Sequence, residues 1–277
     1  MTTDWGIGDP YAALFKALVW KQNPQAAFAD VSHRVKCSSL YHAAYLLGMV
    51  CWNFPEGSVH VVDCRKFTVE QYARVHRRER PLLFTDFIGI RCRGQYFLME
   101  NNGILSLLCP DLEGVEAVVK LDACEDYAHF NTFNALNYYV DAAAKLSSGA
   151  SLDEMGETYP FEHLQRIAPY KVRTSEGSVT GRICHIDAAG NLLTDIRAED
   201  LEKAGLKEKK LKVQVLPCME KLQNVFLVKR YIGVSDQDCY AVFNVNGYLE
   251  IGRKNESLAD ALFEDDSGIG DEIALTV

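Results

Sequence analysis

The sequence lacks the residue spacings that mark metal-binding and secreted proteins. Its nine cysteines form no C-x-x-C pair, and its seven histidines show no H-E-x-x-H or other ligand spacing. No metal site is therefore predicted. An odd number of cysteines, several of them in apolar runs, is typical of reduced thiols, so we expect a cytoplasmic protein.

The sequence also lacks a long apolar run and a positive charge excess. No segment is long and apolar enough to cross a bilayer, and no basic segment followed by an apolar one opens the chain. The net charge of -9 argues against binding to nucleic-acid phosphates, which requires a concentrated basic surface. The one basic cluster, at residues 65–80, is diluted by Glu70 and Glu79, which favours a solvated loop or a partner contact.

What the sequence does contain is the composition of an ordinary folded protein. Its 277 residues are 48% hydrophobic and 24% charged, without internal repeats. In residues 1–172, helical periodicity alternates with short apolar strands, which predicts an α/β domain with a mainly parallel sheet. In residues 179–277, short strand-like runs separated by turns predict a smaller all-β barrel or sandwich. The polar stretch 173–178 is the predicted linker.

Two carboxylates, Asp4 and Asp9, lie in a glycine-containing segment before the first predicted helix. Asp9 followed by Pro10 is typical of a helix start, with Asp9 as the N-cap and Pro10 as the first helical residue. The apolar spacing from Tyr11 to Leu18 then predicts a helix with one face in the core. The two carboxylates would also suit a ligand with vicinal hydroxyls and an amine. These residues alone favour the helix cap and a loop aspartate.

A third carboxylate, Asp63, is the last residue of a buried strand predicted at residues 58–63. In sheets with crossover helices, ligands bind beyond the carboxyl ends of the strands. Asp63 is therefore a candidate site residue, although a polar residue leaving a strand explains its position equally well.

Short motifs along the chain are more informative in their order than one by one. They are T-T-D-W-G-I-G-D-P-Y at 2–11, D-V-S-H at 30–33, G-S-V-H-V-V-D at 57–63, N-N-G-I-L at 101–105, T-F at 132–133, I-D-A-A-G-N-L-L-T-D-I at 186–196 and G-Y-L-E-I at 247–251. In this order they resemble the S-adenosylmethionine hydroxide adenosyltransferase family, which includes S-adenosylmethionine-dependent fluorinases and chlorinases. The resemblance covers both predicted domains.

The resemblance implies an N-terminal α/β domain, a C-terminal β-barrel and a homotrimer. The ligand would lie between the first domain of one subunit and the second domain of its neighbour. S-adenosylmethionine would be the substrate rather than a cofactor, and water or halide would attack C5′ of its adenosyl group and release methionine. By position, Asp4 would bind the ribose hydroxyls and Asp9 the methionine amine. The other implied ligand contacts are Phe133, Asn191 beside the methionyl or ribosyl part, and Arg253 and the backbone near Asn246 on the adenine side.

The implied water-activating set matches this sequence only in part. Members that transfer hydroxide use an Asp, an Arg and a His to orient or deprotonate the water. Asp63 matches the first, but Asn134 stands in place of the histidine and cannot accept a proton at neutral pH. Glu79 stands at the expected arginine, with Arg78 and Arg80 on either side as substitutes.

Three functions remain open at this point. The leading one is hydrolysis of S-adenosylmethionine to adenosine and methionine. The second is non-catalytic binding of S-adenosylmethionine or adenosine, because Asn134 replaces the histidine. The third is a structural trimer with a decayed pocket. Ala135, at the position of the fluorinases' halide-binding serine, argues against fluorination, because a methyl group cannot replace the water around fluoride.

Overall fold

The computed structural model describes residues 1–64, 86–127, 133, 135–206, 210–216, 221–236, 238–264 and 267–277. The chain divides into two compact units, Met1–Ala168 and Pro169–Val277. The first is an α/β unit and the second is an all-β barrel, as predicted. In the described part of the chain, no helix has the length and apolar character to cross a membrane.

The first unit contains one sheet and helices on both of its faces. Its strands are β1 (Thr2–Thr3), β2 (Val59–Asp63), β3 (Phe87–Cys92), β4 (Gln95–Glu100), β5 (Val115–Leu121) and β6 (Gly156–Thr158). Its helices in the described ranges are α1 (Tyr11–Gln22), α2 (Leu40–Val50), α3 (Ile104–Leu108) and α4 (Ala135–Ser147). Val61 of β2 packs in the core formed with α1 and α4, and Val62 packs in the core formed with α2 and α3. This alternation explains why β2 reads as a continuous apolar run.

The sheet is mixed, with strand order β1-β2-β4-β3-β5-β6. β1 pairs with β2, and β2 with β4, in parallel. The three remaining pairs are antiparallel, which corrects the prediction of a mainly parallel sheet. The reason is the two-residue turn Arg93-Gly94, in which both residues have positive φ (50° and 73°). Such a turn joins β3 and β4 as a hairpin rather than through a crossover.

Helix α1 begins at Tyr11, one residue later than predicted. Pro10 occupies the N-cap position, its carbonyl accepts the Leu14 N–H at 2.8 Å, and no side chain caps the helix. The prediction of Asp9 as the N-cap is therefore wrong. The helix buries Phe15, but Tyr11 and Leu14 are exposed within the chain. The expected apolar face is thus only partly covered by the core of the unit.

The second unit is a closed barrel of seven strands with one further strand outside the ring. Its strands are β7 (Arg173–Ser175), β8 (Ser178–Ile186), β9 (Leu192–Arg197), β10 (Lys210–Leu216), β11 (Lys221–Leu227), β12 (Cys239–Phe243), β13 (Tyr248–Arg253) and β14 (Glu272–Thr276). Its helices in the described ranges are α5 (Ala198–Lys203) and α6 (Leu258–Leu262). The ring runs β8-β9-β13-β12-β11-β10-β14 and closes by antiparallel pairing of β14 with β8. Strand β7, within the expected linker, pairs with β8 outside the ring.

Candidate functional site

The first half of the candidate site lies where parallel strands of the first unit end together. Thr3 of β1 is in register with Asp63 of β2, and the Asp4 N–H donates to the Asp63 carbonyl at 3.2 Å. On the other side of β2, Val62 is in register with Met99, so Glu100 ends β4 beside Asp63. The parallel pairing therefore brings three carboxylates, those of Asp4, Asp63 and Glu100, to one edge of the sheet.

These carboxylates make the sheet edge electronegative, and two neighbouring groups respond to it. Burial raises the pKa of the Cys64 thiol well above its usual value, and the three carboxylates add to this effect. Burial also raises the pKa of Tyr139 well above its usual value, with Asp63 and Glu100 contributing. Cys64 and Tyr139 are thus neutral at physiological pH. An edge of this kind favours a cationic ligand.

The Asp63 carboxylate is held by a residue that the sequence analysis did not single out. The indole Nε1–H of Trp5 donates to Asp63 Oδ2 at 2.6 Å, and Trp5 itself is only 4% exposed. A buried tryptophan usually finds a partner for its N–H. The place of Trp5 directly after Asp4 was the signal that could have identified it.

In the loop after Asp4, the Asp9 carboxylate lies against the backbone of Gly6. Gly6 has φ 85°, and a Cβ at this position would lie 2.9 Å from Asp9 Oδ2. The carboxylate of Asp9 therefore lies against Gly6, two residues after Asp4, and it is exposed. A side chain at Gly6 would meet both a strained backbone and this carboxylate.

An aromatic cluster packs against the same loop. Phe133 stacks on Tyr11 with ring centroids 4.7 Å apart, and its ring meets Trp5 edge-on at 4.9 Å. Phe133 is thus brought next to the segment that carries Asp4 and Asp9. The predicted catalytic residues Asn134, Arg78 and Arg80 lie outside the described residues.

The N-N-G motif contacts the residue that follows Asp63. Asn102 is 1% exposed, and its Nδ2 donates to the Cys64 carbonyl at 3.2 Å. Its Oδ1 accepts the Ile104 N–H at 3.2 Å, at the start of α3. Gly103, with φ 101°, supplies the left-handed turn between them. Asn102 therefore fixes the backbone immediately behind Asp63.

The second unit contains a pocket of about 500 Å³, which is within the usual range for small-molecule sites. Asn191, Tyr240, Glu250 and Arg253 are among its lining residues. Asn246 is not, because it lies in the turn before β13 whereas Arg253 ends that strand. A six-residue strand separates two such positions by about 20 Å. The structure thus brings Asn191 and Arg253 together, without Asn246.

The D-A-A-G-N motif is a frame for the Asn191 side chain. Asp187 Oδ1 accepts the N–H groups of Ala189 and Asn191 at 2.9 Å, and its Oδ2 accepts Asn191 Nδ2 at 2.9 Å. The Tyr240 hydroxyl donates to Asn191 Oδ1 at 3.2 Å. Both ends of the amide are therefore oriented before any ligand binds.

Comparison with known sequences then decides the family. Residues 1–156 match the SAM hydroxide adenosyltransferase N-terminal domain, and residues 181–267 match the C-terminal domain of the same family. The chain belongs to the SAM hydroxide adenosyltransferase family. The two matched regions fall in the α/β unit and the barrel unit respectively.

Individual relatives of this SAM hydroxide adenosyltransferase family member include two enzymes. One is the (R)-S-adenosyl-L-methionine hydrolase of Methanocaldococcus jannaschii, 25% identical over 91% of this chain and 87% of the relative. Another is the fluorinase of an Actinoplanes species, 27% identical over 74% of this chain and 73% of the relative. The crystal structure of an uncharacterized conserved protein from Thermotoga maritima has a TM-score of 0.80 at 21% identity, covering 99% of this chain and 98% of that one. That likeness concerns the fold.

Charge in the barrel pocket of this family member is also set by burial. Burial, followed by the charge of Asp187, raises the pKa of Glu250.

Within the described ranges, no group of three or more His, Cys, Asp or Glu side chains could hold a metal ion, and the eight cysteines there are unpaired thiols.

Proposed function

We propose that this protein binds S-adenosylmethionine and hydrolyses it to adenosine and methionine, with water attacking C5′. The observation that carries the proposal is the meeting of Asp4 and Asp63 at the ends of adjacent parallel strands. The relative from Methanocaldococcus jannaschii, named as a hydrolase of the same molecule, agrees with this reaction.

The α/β half of the site supplies the groups that a cationic nucleoside needs. Asp4 accepts hydrogen bonds from the ribose hydroxyls, and the exposed Asp9 accepts them from the methionine ammonium. The Phe133 ring, packed against Trp5 and Tyr11, forms an apolar wall beside them. The negative charge of the sheet edge favours the sulfonium as well as the ammonium.

The barrel half supplies Asn191 for the methionyl or ribosyl part and Arg253 for the adenine side. In the proposed homotrimer, this half comes from a neighbouring subunit. An exposed isoleucine near each half is consistent with burial in such an interface. Ile7 is 71% exposed two residues before Asp9, and Ile232 is 73% exposed next to the pocket residue Tyr231.

The chemistry is a displacement at a carbon whose leaving group is a sulfonium. The positive sulfur already activates the carbon, so the protein has to align the water behind C5′, exclude other solvent and take up or orient the proton. Asp63 orients the water and, as the general base, accepts its proton as the C5′–oxygen bond forms and methionine leaves. Asn134 and one of Arg78 and Arg80 complete the set that the family pattern proposes.

Non-catalytic binding of S-adenosylmethionine or adenosine is the second candidate. It is favoured by Asn134 in the position of the family's histidine, since an amide cannot take a proton from water at neutral pH. Both candidates use Asp4 and Asn191 to bind the ligand, and they differ in whether a water beside Asp63 is activated to attack C5′.

Both candidates are tested by measuring, with chromatography, how much adenosine the protein forms from S-adenosylmethionine. We expect Asp63→Asn to lower kcat at least about 100-fold while binding is retained, which is the scale of general-base catalysis. We expect Asp4→Asn to weaken binding about 10-fold or more, because it loses charge-assisted hydrogen bonds. Asp153→Asn, at an exposed position in the short helical turn before β6, is the control, because three strands separate β6 from β2.

Saturable binding in calorimetry without any adenosine formation would replace hydrolysis by the second candidate. Absence of binding to S-adenosylmethionine and adenosine would contradict both.

A further inference from the structure

Trp5 makes an unusual contact for a core tryptophan, because its partner is a carboxylate of the candidate site. The Nε1–Oδ2 distance of 2.6 Å to Asp63 is short for an N–H donor, and the tryptophan is almost fully buried. An indole N–H can only donate, so this bond favours the ionised carboxylate. A phenylalanine would keep an aromatic ring in the core without offering the bond.

The indole ring is held on several sides, so its N–H has little freedom to turn away. It lies 6.0 Å from the Phe15 ring of α1, 6.3 Å from the His33 ring and 4.9 Å from the Phe133 ring, measured between centroids. The Trp5 backbone N–H is 3.4 Å from Thr3 Oγ1, and the same hydroxyl shares a hydrogen bond of 2.7 Å with His33 Nδ1.

The contacts around Trp5 extend through His33 and Asp30 to helix α1. His33 Nε2 lies 3.1 Å from Asp30, and Lys16 of α1 lies 2.5 Å from the same carboxylate. Burial alone would raise the pKa of Asp30, but the hydrogen bond from Lys16 and the nearby His33 ring hold it below its usual value. Asp30 is therefore ionised at neutral pH and keeps His33 in place against Trp5.

We propose that Trp5 is a positioning residue that fixes the Asp63 carboxylate in one orientation and stabilises its charged form. The bond opposes the charges that face Asp63 from the surrounding elements. Among the described residues, Asp4 and Glu100 flank Asp63 at the ends of the neighbouring strands, and Cys64 and Tyr139 lie within reach of its charge. Two of them are carboxylates, which favour protonation of Asp63, and Trp5 counteracts them. The kinetic consequence rests on the proposed hydrolysis, whereas the effect on Asp63 itself does not.

The decisive variant is Trp5→Phe, which keeps an aromatic ring but removes the donor. Trp20→Phe is the matched control, because the exposed Trp20 donates its indole N–H to a neutral acceptor, the Ala26 carbonyl, at 2.8 Å. Asp63→Asn is the complementary variant, since it keeps Trp5 and an acceptor oxygen but cannot titrate.

The first readout needs no substrate. Tryptophan fluorescence of the native protein, followed from neutral to acidic pH within the folded range, should show a transition as Asp63 is protonated. We expect this transition to persist in Trp20→Phe and to disappear in Trp5→Phe and Asp63→Asn. A transition with the native midpoint and amplitude in Asp63→Asn, or its absence from the native protein, would overturn the proposal.

The second readout is the pH dependence of kcat. Losing a hydrogen bond to the charged form raises the pKa of a carboxyl group, so the acidic limb should move upward by about one pH unit in Trp5→Phe and stay in place in Trp20→Phe. A hydrolysing Trp5→Phe variant with an unmoved limb would overturn the positioning role. If the native protein hydrolyses nothing but the fluorescence results hold, the proposed hydrolysis fails and the hold of Trp5 on Asp63 stands.

Discussion

Replacing Gly252 with alanine would test whether the barrel pocket binds the ligand through Asn191. Gly252 of β13 is paired with Tyr240 of β12. A Cβ at position 252 would lie 2.2 Å from Asn191 Oδ1 and 2.6 Å from the Tyr240 hydroxyl oxygen. Because ordinary contacts of carbon begin near 3.4 Å, the amide oxygen would have to retreat by about 1 Å. The substitution therefore displaces two pocket side chains without changing either of them.

The size of the effect can be worked out in two parts. Overpacking of this kind costs about 1–3 kcal/mol. Gly252 is not among the residues with positive φ, so alanine fits its backbone without strain. By restricting the unfolded chain, alanine also adds about 0.4–1 kcal/mol to the free energy of unfolding. We therefore expect a net loss of about 1–2 kcal/mol in the free energy of unfolding. Loss of the hydrogen bond from Asn191 to the ligand should weaken binding about tenfold.

The assay is calorimetric titration with S-adenosylmethionine, together with urea denaturation of the same samples. Gly233→Ala is the matched control, because a Cβ at position 233 would meet nothing within 4 Å. Gly233 lies in the same unit, two residues from Tyr231 of the pocket. We expect Gly233→Ala to bind as the native protein does. A folded Gly252→Ala variant with native affinity would refute the role given to Asn191.

Two further predictions concern stability. Burial raises the pKa of Asp195, whose Oδ1 accepts the Arg182 N–H at 2.7 Å, so its ionisation lowers stability as the pH rises above the ordinary carboxyl range. Asp195→Asn should therefore raise the free energy of unfolding at pH 7 but not below about pH 4, and an equal change at both pH values in urea denaturation would contradict this. Gly156→Ala should cost at least about 2 kcal/mol, because its Cβ would lie 1.8 Å from the Lys120 carbonyl oxygen. Gly149→Ala, with φ 94° and open space around it, should cost only about 1 kcal/mol in thermal denaturation, and equal losses would show that the clash is relieved.

Much of the fold follows from local patterns. The spacing of Tyr11, Leu14, Phe15 and Leu18 was enough to place α1, and the spacing of short strands was enough to predict an all-β barrel or sandwich. The pairing of β3 with β4 was not predicted, because it depends on the arginine of the Arg93-Gly94 turn adopting a positive φ. Helix periodicity also gave no sign that Tyr11 and Leu14 would stay exposed within the chain.

The candidate site divides in the same way. Asp4, Asp63 and Asn191 could be named from the order of the motifs and the family resemblance that this order carries. The bond from Trp5 to Asp63 could not, since the two residues are 58 positions apart and meet only when β1 pairs with β2. The separation of Asn246 from Arg253 likewise depends on the length of β13 between them.

By itself, the amino-acid sequence determined the family resemblance, the order of the elements and the candidate residues for binding a cationic nucleoside, because these depend on residue type and on the order and spacing of motifs. The tertiary structure decided which of those residues meet. Parallel pairing of two short strands put Asp4 beside Asp63, and Trp5 then fixed the carboxylate. Closure of the barrel and the Asp187 turn oriented Asn191. Such contacts arise from long-range strand register, which no local pattern encodes.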